Sequence, residues 1–115
     1  MRPEAKADLW DAREAAAAIG QFIDGLDEAG YMSSALTRSA VERQLEILGE
    51  ALNRLRRHDA VTADRVPDLH RIVGMRNLLA HEYGSVDDAL VWSAATGRVP
   101  ELFRVLVALL EEEQS

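Results

Sequence analysis

Two stretches of this chain repeat apolar residues in alternating steps of three and four, and that spacing decides the fold class. Leu9, Ala12, Ala16, Ile19, Ile23 and Leu26 form the first series; Val41, Leu45, Leu48, Leu52 and Leu55 form the second. An α-helix turns once every 3.6 residues or so, and such steps keep the apolar side chains along one seam. That is the pattern of helices packed in a bundle. No stretch alternates with the period of two that marks a half-buried strand. Tyr31 and Met32 come nearest, and two residues are too few. The expected architecture is all-α, an up-and-down bundle of four to five helices.

The element boundaries follow from capping chemistry. Gly30 is the expected stop of the first helix. The second starts between Ser33 and Ser39, with Ser39 and Glu42 spaced as a capping box. Ala40, Ile47 and Ala51 widen its stripe. Gly49 inside it costs about 1 kcal/mol against alanine, and the usual gain is close approach of another backbone. Arg54, Arg56 and Arg57 suit the negative pole of the helix dipole. The stretch 58–66 reads as a polar connector, and Pro67 suits the first turn of a third long helix that Gly84 ends. Ser85 with Asp88 offers a cap for a short helix carrying Leu90, Val91 and Trp92. Pro100 opens the last helix, with Leu102, Val105, Leu106, Leu109 and Leu110 on its face. One domain spanning 1–115 is expected, with 110–115 as a frayed tail.

Composition narrows the chemistry. The chain has no cysteine, which excludes a disulfide framework, a thiolate metal site and a cysteine nucleophile. That fits a reducing cytoplasm. The acidic N-terminus, MRPEAKADLWD, is unlike a signal peptide, and the longest apolar run, Val105 to Leu110, is too short to span a bilayer. A cytoplasmic protein without membrane association is expected. The net charge of −7 argues against nucleic acid at first sight. Between Arg38 and Arg76, however, eight arginines face six acids, so a locally basic surface is available. The residues three before His58, His70 and His81 are Leu55, Pro67 and Leu78; the Glu-x-x-His pairs of a carboxylate-bridged metal bundle are absent. Glu42, Glu46 and Glu50, at i, i+4 spacing, read as solvated helix surface. Neither a phosphate-cradling loop nor a nucleophile elbow is present.

The chemistry therefore concentrates on the third long helix, in GMRNLLAHEYG, from Gly74 to Gly84. On the helical wheel Leu69, Ile72, Val73, Leu79, Ala80 and Tyr83 share one stripe, and Arg76 falls near its middle. A guanidinium does not shed its charge, and burying it unpaired costs several kcal/mol (order of magnitude). It must be paired, snorkelling or lining a cavity. His70, Gly74, Asn77 and His81 form a polar edge beside that stripe, and Gly74 leaves room between the two histidines. An imidazole moves protons near neutral pH and a guanidinium holds phosphoryl charge. This pair suits metal-free cleavage of RNA through the ribose 2′-hydroxyl.

Arg76, four residues, His81, one residue, Tyr83 resembles the R-x4-H-x-Y signature of the HEPN superfamily (higher eukaryote and prokaryote nucleotide-binding domains). More narrowly, it resembles the HepT-like toxins encoded beside a minimal nucleotidyltransferase antitoxin. AVERQLEILGEALNRL, from Ala40 to Leu55, resembles the second helix of that group, and MRNLLAHEYGSVDDALVW, from Met75 to Trp92, its signature helix and following turn. The likeness covers roughly Ala5 to Leu110.

The resemblance implies a homodimer whose signature helices line one cleft. It implies a catalytic pair, Arg76 and His81, supported by Asn77; His70, on the same polar edge of the wheel, is expected as a further supporting residue. The implied activity is a toxin's endoribonuclease that needs no metal or cofactor. The nucleotidyltransferase antitoxin would neutralise it by AMPylating Tyr83, alone or in a larger hetero-oligomer. The alternative expectation is a non-catalytic helical module that binds a nucleotide or a nucleotidyltransferase.

Overall fold

The computed structural model describes residues 1–81 and 87–114. The side chains of Leu78, Ala80, His81 and Gln114 lie outside that description, as does Ser115. The described residues form α1 (Pro3–Ile23), α2 (Glu28–Met32), α3 (Ala35–His58), α4 (Ala60–Ala63), α5 (Leu69–His81), α6 (Asp88–Ser93), a π-helical segment (Ala94–Arg98) and α7 (Val99–Gln114). Among the described residues there is no strand. The all-α expectation holds. Four long helices pack side by side in the spatial order α5, α3, α1, α7. None of them is long and apolar enough to cross a membrane, among the described residues.

Both repeating seams supply the core. Leu9, Ala12, Ala16 and Ile19 of α1 meet Val41, Leu45, Leu48, Leu52 and Leu55 of α3, all essentially without solvent contact. Leu102, Leu106 and Leu109 of α7 close one side, and Ile72 and Val73 of α5 close the other.

Several boundaries differ from the expectation. The first helix ends at Ile23, because Gly25 adopts a left-handed φ of 77° that glycine tolerates. Gly30 instead sits inside α2, where its N–H donates to the carboxylate of the N-cap Asp27 at 2.7 Å, and Tyr31 and Met32 are helical. Leu26, past the helix end, is exposed. Ser34, not Ser39, caps α3. Its backbone is extended and its hydroxyl accepts from the Thr37 N–H at 3.2 Å, whereas Ser39 lies a full turn inside the helix. The connector 58–66 contains α4, capped by Asp59 and holding Thr62 and Ala63 in the interior. Pro67 lies outside α5: Asp68 between them takes a φ of 58°, which interrupts a right-handed helix.

The last two helices are not separate. α6, the π segment and α7 run on without a break. The widened turn immediately precedes Pro100, whose ring would clash with the carbonyl four residues back in a regular helix. Asp87 caps α6 by accepting from the Leu90 N–H at 3.1 Å; Ser85 and Gly84, expected as cap and stop, lie outside the described residues.

A charged cluster fastens α6 to α3. Arg38 pairs with Asp88 at 3.5 Å and donates to the Met32 carbonyl. Beneath it Tyr31 is wholly buried, its ring 5.2 Å from that of Trp92. Its hydroxyl finds no hydrogen-bond partner among the described residues. Burial, then the nearby Glu42 and Asp88 charges, pushes its pKa up to about 12. Burial and Asp88 likewise hold the Glu42 carboxyl above its usual range.

Candidate active site

α5 carries the residues that the sequence pattern singled out. Its apolar stripe is real over the described side chains: Leu69, Ile72 and Val73 are buried and Leu79 is partly buried. Arg76, near the centre of that stripe, would be an uncompensated charge if it pointed into the core. It does not. The neighbouring helix makes room for its stem and supplies a carboxylate for its head.

The room comes from Gly49. A Cβ built on this residue would lie 2.3 Å from Arg76 Cβ, 2.8 Å from Cγ and 3.3 Å from the Ile72 carbonyl oxygen. No side chain fits there. The close approach expected at Gly49 is therefore found, and the element that approaches is α5.

The head of Arg76 emerges into an open groove between α3 and α5. Its Nη2 lies 2.7 Å from Glu50 Oε2, and the side chain keeps 28% of its solvent exposure. Nη1 donates to Asn77 Oδ1 at 2.9 Å. The groove holds about 360 Å³ and is lined by Arg43, Glu46, Ile47, Glu50, Arg54 and Arg76. A guanidinium has five N–H donors, so these two contacts leave donors over for a phosphate. Its charge stays fixed at any working pH.

A polar spine backs the groove. Glu50 Oε1 lies 4.0 Å from Arg54 Nη1. Arg54 in turn reaches α1, with Nε 3.2 Å from Asp8 Oδ1 and Nη2 3.2 Å from Asp11 Oδ2. Asp8 is buried, and its second oxygen meets His58 Nδ1 at 2.7 Å. The basic cluster at the end of α3 is thus more than a dipole complement: Arg54 is part of a network across three helices.

The structure joins some of the singled-out residues and separates others. Arg76 and Asn77 are in direct contact. His70 is exposed and lines a different depression, with Arg56, Asp64, Asp68 and Arg71. His81 closes α5 in its backbone, while its side chain lies outside the described ones; Tyr83 lies outside the described residues altogether. Gly74 faces open space, with nothing within 4 Å of a built Cβ. Glu50 is the residue that sequence reasoning missed. It sits at i, i+4 spacing with Glu46 like any solvated acid, and only its place beside Gly49 hinted that it faces another helix.

The described residues thus form a small all-α bundle that presents a clamped arginine to solvent on the helix with the R-x4-H-x-Y pattern. Comparison with known proteins places it more closely. A family profile described as "Ribonuclease HepT-like" matches residues 12–109, and the chain belongs to that family of ribonucleases. It is 32% identical over 99 residues to "Putative RNase MJ1380" of Methanocaldococcus jannaschii, covering 86% of this chain and 90% of that one. It is 30% identical to "Putative RNase MJ0125" of the same organism, over 94% of this chain and 95% of the relative. "Putative RNase TTE0752" of Caldanaerobacter subterraneus is 29% identical over 80% of this chain and 81% of its own. No solved structure matches.

Proposed function

We propose that this HepT-like ribonuclease is the toxin of a two-gene toxin–antitoxin module, cutting RNA in a cleft formed by two copies of the chain. The observation that carries the reading is the placement of Arg76. Its guanidinium stands at the mouth of an open groove, pinned by Glu50 and Asn77, rather than sealed in the core. A preorganised cation of this kind stabilises charge that develops on a phosphoryl group.

The reaction needs a second group. His81, five residues on, takes the proton of the ribose 2′-hydroxyl as that oxygen attacks the adjacent phosphorus. The P–O5′ bond breaks, and the departing 5′ oxygen takes a proton from solvent water. The products are a 2′,3′-cyclic phosphate, which opens to a 3′-phosphate, and a 5′-hydroxyl end. No metal is called for. DNA lacks the nucleophile and is spared. A minimal nucleotidyltransferase antitoxin neutralises the enzyme by attaching AMP to Tyr83, placing an anionic adduct two residues from His81 where it repels RNA phosphates.

The test is direct. Purified protein is expected to cleave RNA in EDTA and to leave cyclic or 3′-phosphate ends. His81→Ala and Arg76→Ala abolish cutting with the fold intact by circular dichroism. Expressed without its neighbouring gene the wild type stops growth, and Arg76→Ala restores it. Harmless wild-type expression together with intact RNA would favour a non-catalytic module that binds a nucleotide or a nucleotidyltransferase.

A further inference from the structure

We infer that Glu50 is the positioning residue for Arg76, holding the guanidinium at the place in the groove where the scissile RNA phosphate is received. The inference deepens the proposed function and rests on its reading of Arg76 as the phosphate-binding group.

Three observations converge on Glu50. Its Oε2 lies 2.7 Å from Arg76 Nη2, the shortest range for a charge-assisted contact. Its Oε1 is turned toward Arg54 Nη1 at 4.0 Å, and Arg54 is itself anchored to α1 by Asp8 and Asp11. The carboxylate thus faces a second cation that is itself paired on α1. Finally, Glu50 adjoins Gly49, whose missing side chain seats the Arg76 stem. One dipeptide of α3 fixes both ends of the arginine: the glycine admits the stem and the glutamate holds the head.

Among the described residues, the head without Glu50 keeps only the bond from Nη1 to Asn77, a neighbour on the same helix that moves with it. A long flexible side chain held at one point samples many rotamers, and catalysis is sensitive to displacement of about 1 Å. Glu50 also balances charge. In the groove, Arg43 has Glu46 beside it and Arg54 and Arg76 share Glu50, so no arginine of the lining stands alone.

An opposite role is conceivable for the same carboxylate, as an anion that competes with phosphate for Arg76. The geometry favours positioning, because the fork keeps donors that Glu50 and Asn77 do not take up. The two roles predict opposite signs. If Glu50 positions Arg76, Glu50→Ala lowers kcat for RNA cleavage about ten- to a hundredfold with a smaller change in KM. Glu50→Gln, which keeps an acceptor of the same shape, recovers part of it. Equal or faster cleavage by Glu50→Ala at an unchanged melting temperature overturns the proposal.

A second measurement is independent of cleavage. The guanidinium ¹⁵Nη signals of Arg76, assigned by their loss in Arg76→Lys, are expected to be resolved in the wild type through hindered rotation. They should merge in Glu50→Ala or, if that variant fails to fold, in Glu50→Leu, which fills the same space without an acceptor. Unchanged signals overturn the proposal even if RNA is cut. Wild-type protein that leaves RNA intact overturns the proposed function, and the spectra then still decide whether Glu50 holds Arg76.

Discussion

Gly49 and Arg76 occupy one another's space: the hydrogen that a glycine carries in place of Cβ is all that fits between α3 and the stem of the arginine. A methyl group there would stand 2.3 Å from Arg76 Cβ. The obstructing atoms are the root of a side chain and a backbone carbonyl, neither of which moves cheaply. Gly49→Ala gains about 1 kcal/mol of helix propensity and loses about 1–3 kcal/mol to overpacking. A net fall in stability is expected in urea unfolding, together with loss of RNA cleavage, because relief of the clash displaces Arg76 from Glu50. A variant as stable and as active as the wild type would show that the two helices are not this close.

Gly74 gives the opposite expectation. It lies in the interior of α5 and a built Cβ meets nothing within 4 Å. Gly74→Ala should therefore stabilise the chain by about 0.5–1 kcal/mol, read as a rise of a few degrees in the melting temperature. A fall instead would mean that another body, a second copy of the chain, uses that space in solution.

These two glycines show where sequence reasoning reaches and where it stops. The seams on α1 and α3 were legible because a repeat of three and four survives any detail of packing: nine of its eleven positions are fully buried. The stops were not. Gly25 and Gly30 stand five residues apart, and only the backbone φ of 77° reveals that Gly25 is the one that turns the chain. Gly49 could be recognised as a site of close approach, but not by what. That requires the register between α3 and α5, which apolar periodicity leaves open by a helical turn. For the same reason Glu50 read as surface while Arg76 read as a charge in need of a partner, although each is the other's answer.

Asp8 is the buried end of the spine behind the groove, with Arg54 and His58 on its two oxygens. Removing the carboxylate takes this acceptor from His58 and from Arg54, which keeps Asp11 and Glu50. Because Arg54 keeps 32% and His58 40% of its solvent exposure, water relieves part of the loss. Asp8→Ala is expected to cost about 1–3 kcal/mol in chemical denaturation, and to lower cleavage less than Glu50→Ala, since Arg76 retains its direct partner. A larger effect on cleavage than on stability would place Asp8 nearer to the chemistry than its distance implies.

Glu42 supplies a pH dependence. Burial first, then Asp88, raises its carboxyl above the usual range, against the pull of Arg38; Glu46 adds to the rise. Between the ordinary carboxylate value and the raised one, the folded chain holds a proton that the unfolded chain has released. Stability therefore falls as pH climbs through that window, and the penalty persists above it. Glu42→Gln is expected to melt higher than the wild type at pH 7, with the advantage shrinking as pH drops below the ordinary range. A constant difference at every pH would separate the effect from titration.

Tyr31 repeats the argument at the alkaline end. Its ring packs on Trp92 in the core, and its hydroxyl lacks a partner among the described residues. Burial, helped by the Glu42 and Asp88 charges and opposed by Arg38, lifts its pKa from 10.0 to about 12. In that interval the native phenol keeps a proton that the unfolded one gives up, so the stability it contributes is complete below the lower value and drains away as pH rises through the upper. Tyr31→Phe removes the titration and an unsatisfied hydroxyl while keeping the ring. At neutral pH it should be as stable as the wild type or more so by about 1 kcal/mol. In strong alkali its unfolding free energy should decline less steeply. Parallel declines for the two proteins would mean that the phenol ionises as easily folded as unfolded, and that the floor beneath α6 is open to water.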